Sequence, residues 1–504
     1  MSATHSISLE DLHRARSWQT NAALSLLGAG LLLLSRQLVS EYDHFTIGFS
    51  GVSGWSAILY LASVLLILTQ PVDRFTFPII LAFALACRLA PLFADPFLSS
   101  DVYRYVWDGI VQHAHISPYR FVPGDPALGF LRAPNQDIFD NINRRDYAHT
   151  IYPPVAQALF YCITFLSPTL VAMKTAMVFF EVLTVSALVR ILKLLGVRRE
   201  QVLLYAWCPL LVWEVAGAGH LDSVAMAFIS MAVLFRIRRQ AVLTGLFLGL
   251  AVMTKLYPIV LLPALLIPRR ATSEMRVWSP SSWDWTLPAT TAAVIAIGYA
   301  AYSSVGLLVF GFLGGYVQEE GIATGTRYFL LELAQHSSGF YTLPAAYFYG
   351  LCGLTFAILT WWSLKVSAET TGSSTFEGPP GRAGNSSLPS GSSAPFLAPA
   401  FALATALMLL FSPHYPWYIL WLIPFFTLIP NLPVLAYLMT AFYLFTTPLA
   451  DGTLPRMYLL NKILYGAMLL ATFIYLGLRH RRLPGLNFHQ PRLDRQTPQS
   501  QRKT

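Results

Sequence analysis

Charge is scarce in this chain of 504 residues: only 12% are Asp, Glu, Lys or Arg, against roughly 25% in ordinary soluble domains, while 55% are hydrophobic. That balance excludes a soluble globular domain and leaves an all-α, polytopic integral membrane protein. Cysteine is scarce as well. Cys87, Cys162, Cys208 and Cys352 each lie in or beside an apolar run, and none has a neighbour at metal-ligand spacing, so they read as packing residues. A Gly-x-Ser-x-Gly elbow, a phosphate loop ending in Lys and Ser or Thr, and a dinucleotide fingerprint are all missing, which excludes the soluble families built on them. No internal repeat and no matched pair of broken helices is visible. The apolar run after His13, Arg14 and Arg16 lacks a small-residue cleavage site, so it is expected to stay as an anchor.

What is present is hydrophobic run after hydrophobic run. Measured against the ~20 residues that cross ~30 Å of hydrocarbon, these runs give twelve to fourteen spans. They lie near 20–38, 54–70, 76–93, 170–194, 201–216, 220–236, 241–255, 257–268, 286–305, 341–366, 397–411, 415–430, 432–448 and 457–478. The formal net charge of +9 comes from Lys and Arg gathered between the runs, which reports orientation and not a nucleic-acid partner. His13, Arg14 and Arg16, then Arg198 and Arg199, Arg236, Arg238 and Arg239, Arg269, Arg270 and Arg276, and the tail all fall on the cytoplasmic side if 152–167 does not cross. That segment, YPPVAQALFYCITFLS, therefore reads as a helix in the outer interface, opened by Pro153 and Pro154. The expected organisation is a cytoplasmic segment over 1–19 and a transmembrane domain over 20–480, with an outer loop at 94–169 and a Ser/Gly/Pro-rich cytoplasmic loop at 367–396. A basic, disordered cytoplasmic tail over 481–504 follows.

This orientation gathers the polar, ionisable segments on the outer face. A helix from Asp101 stacks Asp101, Tyr105 and Asp108 at i, i+4 and i+7, with Arg104 between the acids, so two carboxylates and a guanidinium share one face. Further along the loop, DNINRRDYAHTIYPP supplies Arg144, Arg145 and Tyr152 as anion-binding donors and aromatic surface. GAGHLDS places His220 and Asp222 at the mouth of a span, with Glu214 one turn earlier, where ionisable groups are expensive unless they snorkel or work. Zinc needs three or four ligands and His-x-Asp fixes two, so no metal is expected. TKLYP holds Lys255 and Tyr257 in a tight reversal, where the lysine either snorkels or faces a phosphate. FSPHYPWYILW fixes His414 between prolines, suited to donate to a phosphate oxygen or carry a proton. Arg327 in GIATGTRYF is a further anion ligand. Each cluster also suits a plainer role, as a solvated loop, an interfacial helix or an aromatic belt.

The succession SSDVYRYVWDG, ISPYRF, RRDYAHTIYPP, GHLDS, TKLYP and SPHYPWYILW, over about 77–421, resembles the bacterial integral-membrane GT-C glycosyltransferases. More narrowly it resembles glycosyltransferase family 87 and the polyprenyl-phosphate-mannose-dependent mannosyltransferases. The resemblance implies transfer of a hexose, mannose by preference, from a polyprenyl-phosphate-linked donor to a lipid-linked or cell-envelope glycan acceptor on the outer side of the cell membrane, without a cofactor. It implies Asp101 as catalytic base and Asp108 as a second acid; read from the residues themselves, Tyr103, Arg104, Arg144, Arg145, Tyr152, His220, Asp222, Lys255, Tyr257, Arg327 and His414 are expected around the substrates. The family's arginine early in the span after the loop has no counterpart; Lys174 is nearby. A carboxylate that takes a hydroxyl proton as the bond forms contributes about 10²–10⁴-fold, and a phosphate leaving group needs cations and donors more than a strong acid. The chemistry expected is direct displacement with inversion, from a β-linked donor to an α-linked product. The same spans and charged clusters also suit a transporter or flippase of a lipid-linked saccharide.

Overall fold

In hydrocarbon every backbone N–H and C=O must find a partner within the chain, which restricts spanning segments to helices or closed barrels. The computed structural model describes residues 9–40, 48–269, 279–339, 343–372, 394–446 and 454–480. These fold into helices, with one isolated bridge between Pro268 and Trp283. Most of the Ser/Gly/Pro-rich loop expected at 367–396 and the tail over 481–504 lie outside the described residues.

Among the described residues five helices are long and apolar enough to cross a membrane: Arg16–Ser40, Gly51–Thr69, Leu170–Leu194, Ala345–Glu369 and Tyr458–Leu478. A sixth crossing is available if Thr286–Ala300 and Ser303–Glu319, bent by 110°, count as one. Other expected spans are apolar but shorter, including Thr76–Leu92, Ala241–Val252 and Leu397–Phe411. The run expected at 201–216 is broken into short helices at Leu203–Ala206 and Pro209–Leu211 and a π-helix at Val212–Gly217. Pro209 is the physical reason: it cannot donate to the preceding turn, so the helix restarts there.

The expected interfacial segment is a helix at Pro154–Leu166, and its 13 residues reach only about 20 Å, too short to cross. Its proline start leaves few free N–H groups, and Val155 donates its own to the Met253 carbonyl at 3.0 Å. The loop helix is thereby fastened to the turn that carries Lys255. Asp101–His113 packs on the same helix through Gly109, where a β-carbon would lie 2.3 Å from Thr164 Oγ1 and 2.7 Å from the Phe160 carbonyl. A strap over 301–328 closes on the loop from the other side. Gly311, at φ +52 and ψ −133, is pressed so closely on Thr150 that a β-carbon would sit 1.6 Å from its carbonyl oxygen.

Two buried basic residues hold the elements beneath the loop. Lys174 donates to the carbonyls of Pro91 and Ala94 at 2.8 and 2.6 Å, satisfying the end of Thr76–Leu92 where the chain leaves for the loop. Arg88 meets both oxygens of Glu181, which lies within Leu170–Leu194, at 2.9 and 2.8 Å, and also donates to the carbonyls of Ala84 and Ala206. With side-chain exposures of 7% and 2% the pair is isolated from water. Arg88→Met alone strands a buried carboxylate and is expected to cost about 3–5 kcal/mol, whereas Arg88→Met with Glu181→Leu should recover most of it. Thermal unfolding of the detergent-solubilised protein measures both.

Candidate active site

Asp101 opens the helix Asp101–His113, where its carboxylate complements the positive end of the helix dipole. It is half-buried, and its Oδ1 accepts a hydrogen bond from Asn143 Nδ2 at 3.0 Å. Among the described residues it forms no ion pair. The face it was expected to share with Arg104 and Asp108 is divided along its length, because seven residues of helix separate the two acids by about 10 Å. Arg104 turns to the deeper acid: its Nε donates to Asp108 Oδ1 at 2.7 Å and its Nη1 to the Ala148 carbonyl at 3.1 Å. Gln157 donates to the other Asp108 oxygen at 2.8 Å. Arg104 and Asp108 are buried and brace the loop helices against one another. Arg145 is similarly engaged, with Asp140 at 3.1 Å and over the Phe139 ring, and Tyr103 packs between the core and the loop's own apolar cluster.

Tyr105 and Tyr152 stand beside Asp101, their rings perpendicular at 4.8 Å and closed off by Phe160. Desolvation, and next the Asp101 charge, push both phenols well above their ordinary range, so they remain protonated donors. The Asp222 charge also reaches Tyr105, which joins the loop helix to the second wall of the site. There Asp222 begins the helix Asp222–Ile237 and is wholly buried. Lys255 Nζ donates to its Oδ2 at 2.6 Å and the Tyr257 hydroxyl to its Oδ1 at 3.3 Å. Tyr257 in turn packs on Trp421 at 4.6 Å. His220 lies behind this wall, buried against Trp417 at 4.4 Å, and does not face outward.

The third wall comes from the strap and the Pro-bounded turn. Arg144 Nε donates to Glu319 at 2.8 Å across 175 residues of chain. Arg327 pairs with Glu320 in a buried ion pair and donates from Nε to the Phe411 carbonyl at 3.2 Å. Tyr316 and Tyr418 share a hydrogen bond between hydroxyls, and the Lys255 ammonium and the Arg327 guanidinium each lie 5.8 Å from the Tyr418 ring. Tyr415 is within reach of the charges of Glu320, Arg144, Arg327 and Asp101, so this wall faces the first. His414 Nδ1 approaches Glu320 at 3.7 Å. Burial, and next the Arg327 charge, push its imidazole down to about 3. At neutral pH the ring is therefore an uncharged donor or acceptor; its contact with Glu320 is not an ion pair, and it does not gain or lose a proton near pH 7. Arg144 and Ser412, at φ +53 and +48, hold left-handed backbone on this wall, conformations that non-glycine residues adopt at a cost.

The structure thus brings Asp101, Tyr152, Asp222, Lys255, Tyr257, Arg144, Arg327 and His414 toward one region. It assigns Arg104, Asp108 and Arg145 to the scaffold around it. Tyr105, already on the Asp101 face by its i+4 spacing, belongs to the walls, and so do Glu319, Glu320, Tyr316 and Tyr418, which no spacing links to Asp101. The adjacent acids Glu319 and Glu320, eight and seven residues before Arg327, were the visible signal for part of it. Among the described residues, no three His, Cys, Asp or Glu side chains are grouped so as to hold a metal ion.

No curated protein and no solved structure matches the chain. A family model does: residues 22–269 match the MptA_B family, described as alpha-(1->6)-mannopyranosyltransferase, N-terminal domain. The matched stretch carries Asp101, Tyr152, Asp222, Lys255 and Tyr257, the first two of the walls just described, together with Arg144 of the third. Over residues 22–269 the chain is similar to this alpha-(1->6)-mannopyranosyltransferase family, and the protein is a membrane mannosyltransferase.

Proposed function

We propose that the protein transfers mannose from a polyprenyl-phosphate-linked donor to a lipid-linked or cell-envelope glycan on the outer side of the cell membrane, with Asp101 as base and both termini in the cytoplasm. One observation carries the assignment of Asp101. The neighbouring acids Asp108, Asp222, Glu319 and Glu320 each hold a cation, whereas Asp101 is half-exposed and holds only the Asn143 amide. An acid already paired with Arg or Lys is a poor proton acceptor; one that is solvent-accessible and held by a single neutral donor is available. In the proposed step the acceptor hydroxyl oxygen attacks the anomeric carbon while its proton passes to Asp101. The bond from that carbon to the phosphate oxygen breaks, and its electron pair leaves with the phosphate.

The departing phosphate gains negative charge, and three cations surround the region to meet it. Arg144 and Arg327 each use only part of a guanidinium that has five N–H donors, so donors remain for a phosphate oxygen. Lys255, its charge balanced by Asp222, offers the remaining N–H donors of its ammonium from the second wall, and neutral His414 supplies a hydrogen bond. A donor that carries its own phosphate leaving group calls for no cofactor. A single direct displacement inverts the anomeric carbon, so a β-linked donor gives an α-linked product.

Asp101→Asn keeps the Asn143 contact but removes the proton acceptor. It is expected to lower kcat by about 10²–10⁴-fold with little change in donor KM, measured with purified protein and polyprenyl-phosphate-mannose. Full activity in that variant would remove Asp101 from the role. The anomeric configuration of the isolated product, read by NMR, is a separate check, and a retained configuration rules out direct displacement. Because His414 is neutral well below physiological pH, His414→Gln is expected to raise donor KM while leaving the shape of the pH–rate profile between roughly pH 5 and 8 unchanged.

A further inference from the structure

Glu214 and His220 are secluded ionisable residues near the site, with side-chain exposures of 0% for both. Glu214 Oε2 and His220 Nε2 lie 3.2 Å apart, but out of line for a hydrogen bond. Neither carboxylate oxygen and neither ring nitrogen has another hydrogen-bond partner among the described residues. The wide turn explains how they meet. In Val212–Gly217 the Ala218 N–H reaches back five residues to the Trp213 carbonyl at 2.9 Å, and the His220 N–H then closes on the Glu214 carbonyl, also at 2.9 Å. The chain doubles over so that the imidazole returns beside the carboxyl, and Trp417 covers the ring from the far side.

The charged groups that face Glu214 are Asp222, Asp101 and Lys255. The one cation is committed elsewhere: Lys255 is bound to Asp222 at 2.6 Å. An ionised Glu214 would be a third carboxylate in a region with one ammonium, removed from water, with no aligned donor. Burying a carboxylate in that way is costly, and no cation or aligned donor here offsets it. A protonated Glu214 needs only one acceptor, and His220 Nε2 is at hand; a small rotation of either side chain brings the O–H into line.

We propose that Glu214 carries a proton directed toward a neutral His220, and that the two form a net-neutral pair behind the site. The pair rests on the reading of Asp101 as base and adds to it: Lys255 and Asp222 cancel, Glu214 and His220 contribute no net charge, and Asp101 is the uncompensated charge that meets the acceptor. Glu214 is a positioning residue in this scheme. It touches no reacting atom and acts by fixing the field at Asp101.

The test is infrared difference spectroscopy of the full-length protein in detergent, wild type minus Glu214→Gln, at neutral pH. The expected result is the carbonyl stretch of a protonated carboxylic acid; carboxylate bands in its place would overturn the proposal. In activity assays Glu214→Gln keeps the shape, the neutrality and a donor toward His220, so it should rescue most of the kcat that Glu214→Leu loses, about tenfold or more. It should also leave the acid limb of the pH–rate profile in place. A Gln variant as impaired as Leu, or one whose acid limb moves to lower pH, shows that the charge of Glu214 mattered and overturns the pair. If Glu214→Gln does not fold, His220→Gln should shift the protonated-acid band of Glu214, and an unmoved band counts against the pairing. An active Asp101→Asn would defeat the base assignment without altering the band, so the two failures are distinguishable.

Discussion

A charge placed next to hydrocarbon has to be neutralised within the protein, and the arrangement around the site follows from that requirement. Arg88 is matched with Glu181, Arg104 with Asp108, Lys255 with Asp222, Arg327 with Glu320 and Arg144 with Glu319. The pairs differ in what surrounds them. Arg88 and Glu181 are sealed and serve only to hold helices together, whereas Arg144 and Glu319 are each about one-third exposed and can exchange partners with a ligand. Against this background of matched charges Asp101 stands out by having a neutral amide as its hydrogen-bond partner. The balance also gives the seclusion of Glu214 its meaning, since a buried acid without a cation is tolerable when it keeps its proton.

Much of the fold was legible because hydropathy acts on every residue of a span alike. The helix at Leu170–Leu194 coincides with the expected segment, and the helix from Asp101 begins at the residue where the polar run starts. The segment expected at 152–167 is a helix at Pro154–Leu166. Where prolines and glycines crowd apolar stretches, hydropathy alone gave no warning. The stretch from Val202 to Gly217 is as apolar as a span yet is divided into a 3₁₀ turn, two short helices and a π-helix.

The site was legible in its parts and not in its pairings. Asp101, Lys255 and His414 attracted notice as ionisable residues at the ends of apolar runs. Which acid each base would meet could not be read from spacing, because Arg144 and Glu319 are 175 residues apart and Lys255 and Asp222 are 33 apart. Arg104 shows the converse. Its i+4 distance to Asp108 was visible, and the helix used it for a brace and not for the substrate face. The charge state of His414 depended on burial and on Arg327, both supplied by a distant strap, so its residue type alone suggested a proton carrier that the fold does not provide.

The contact between Gly311 and Thr150 also fixes how the strap is measured out. One backbone lies on another there with no room for a methyl group, so the chain between the bend after Thr286–Ala300 and that contact has a set length. Insertions or deletions before Gly311 would drag Leu313–Glu319 off Arg144. The strap behaves as a ruler pinned at one mark, and the third wall stands where that mark puts it.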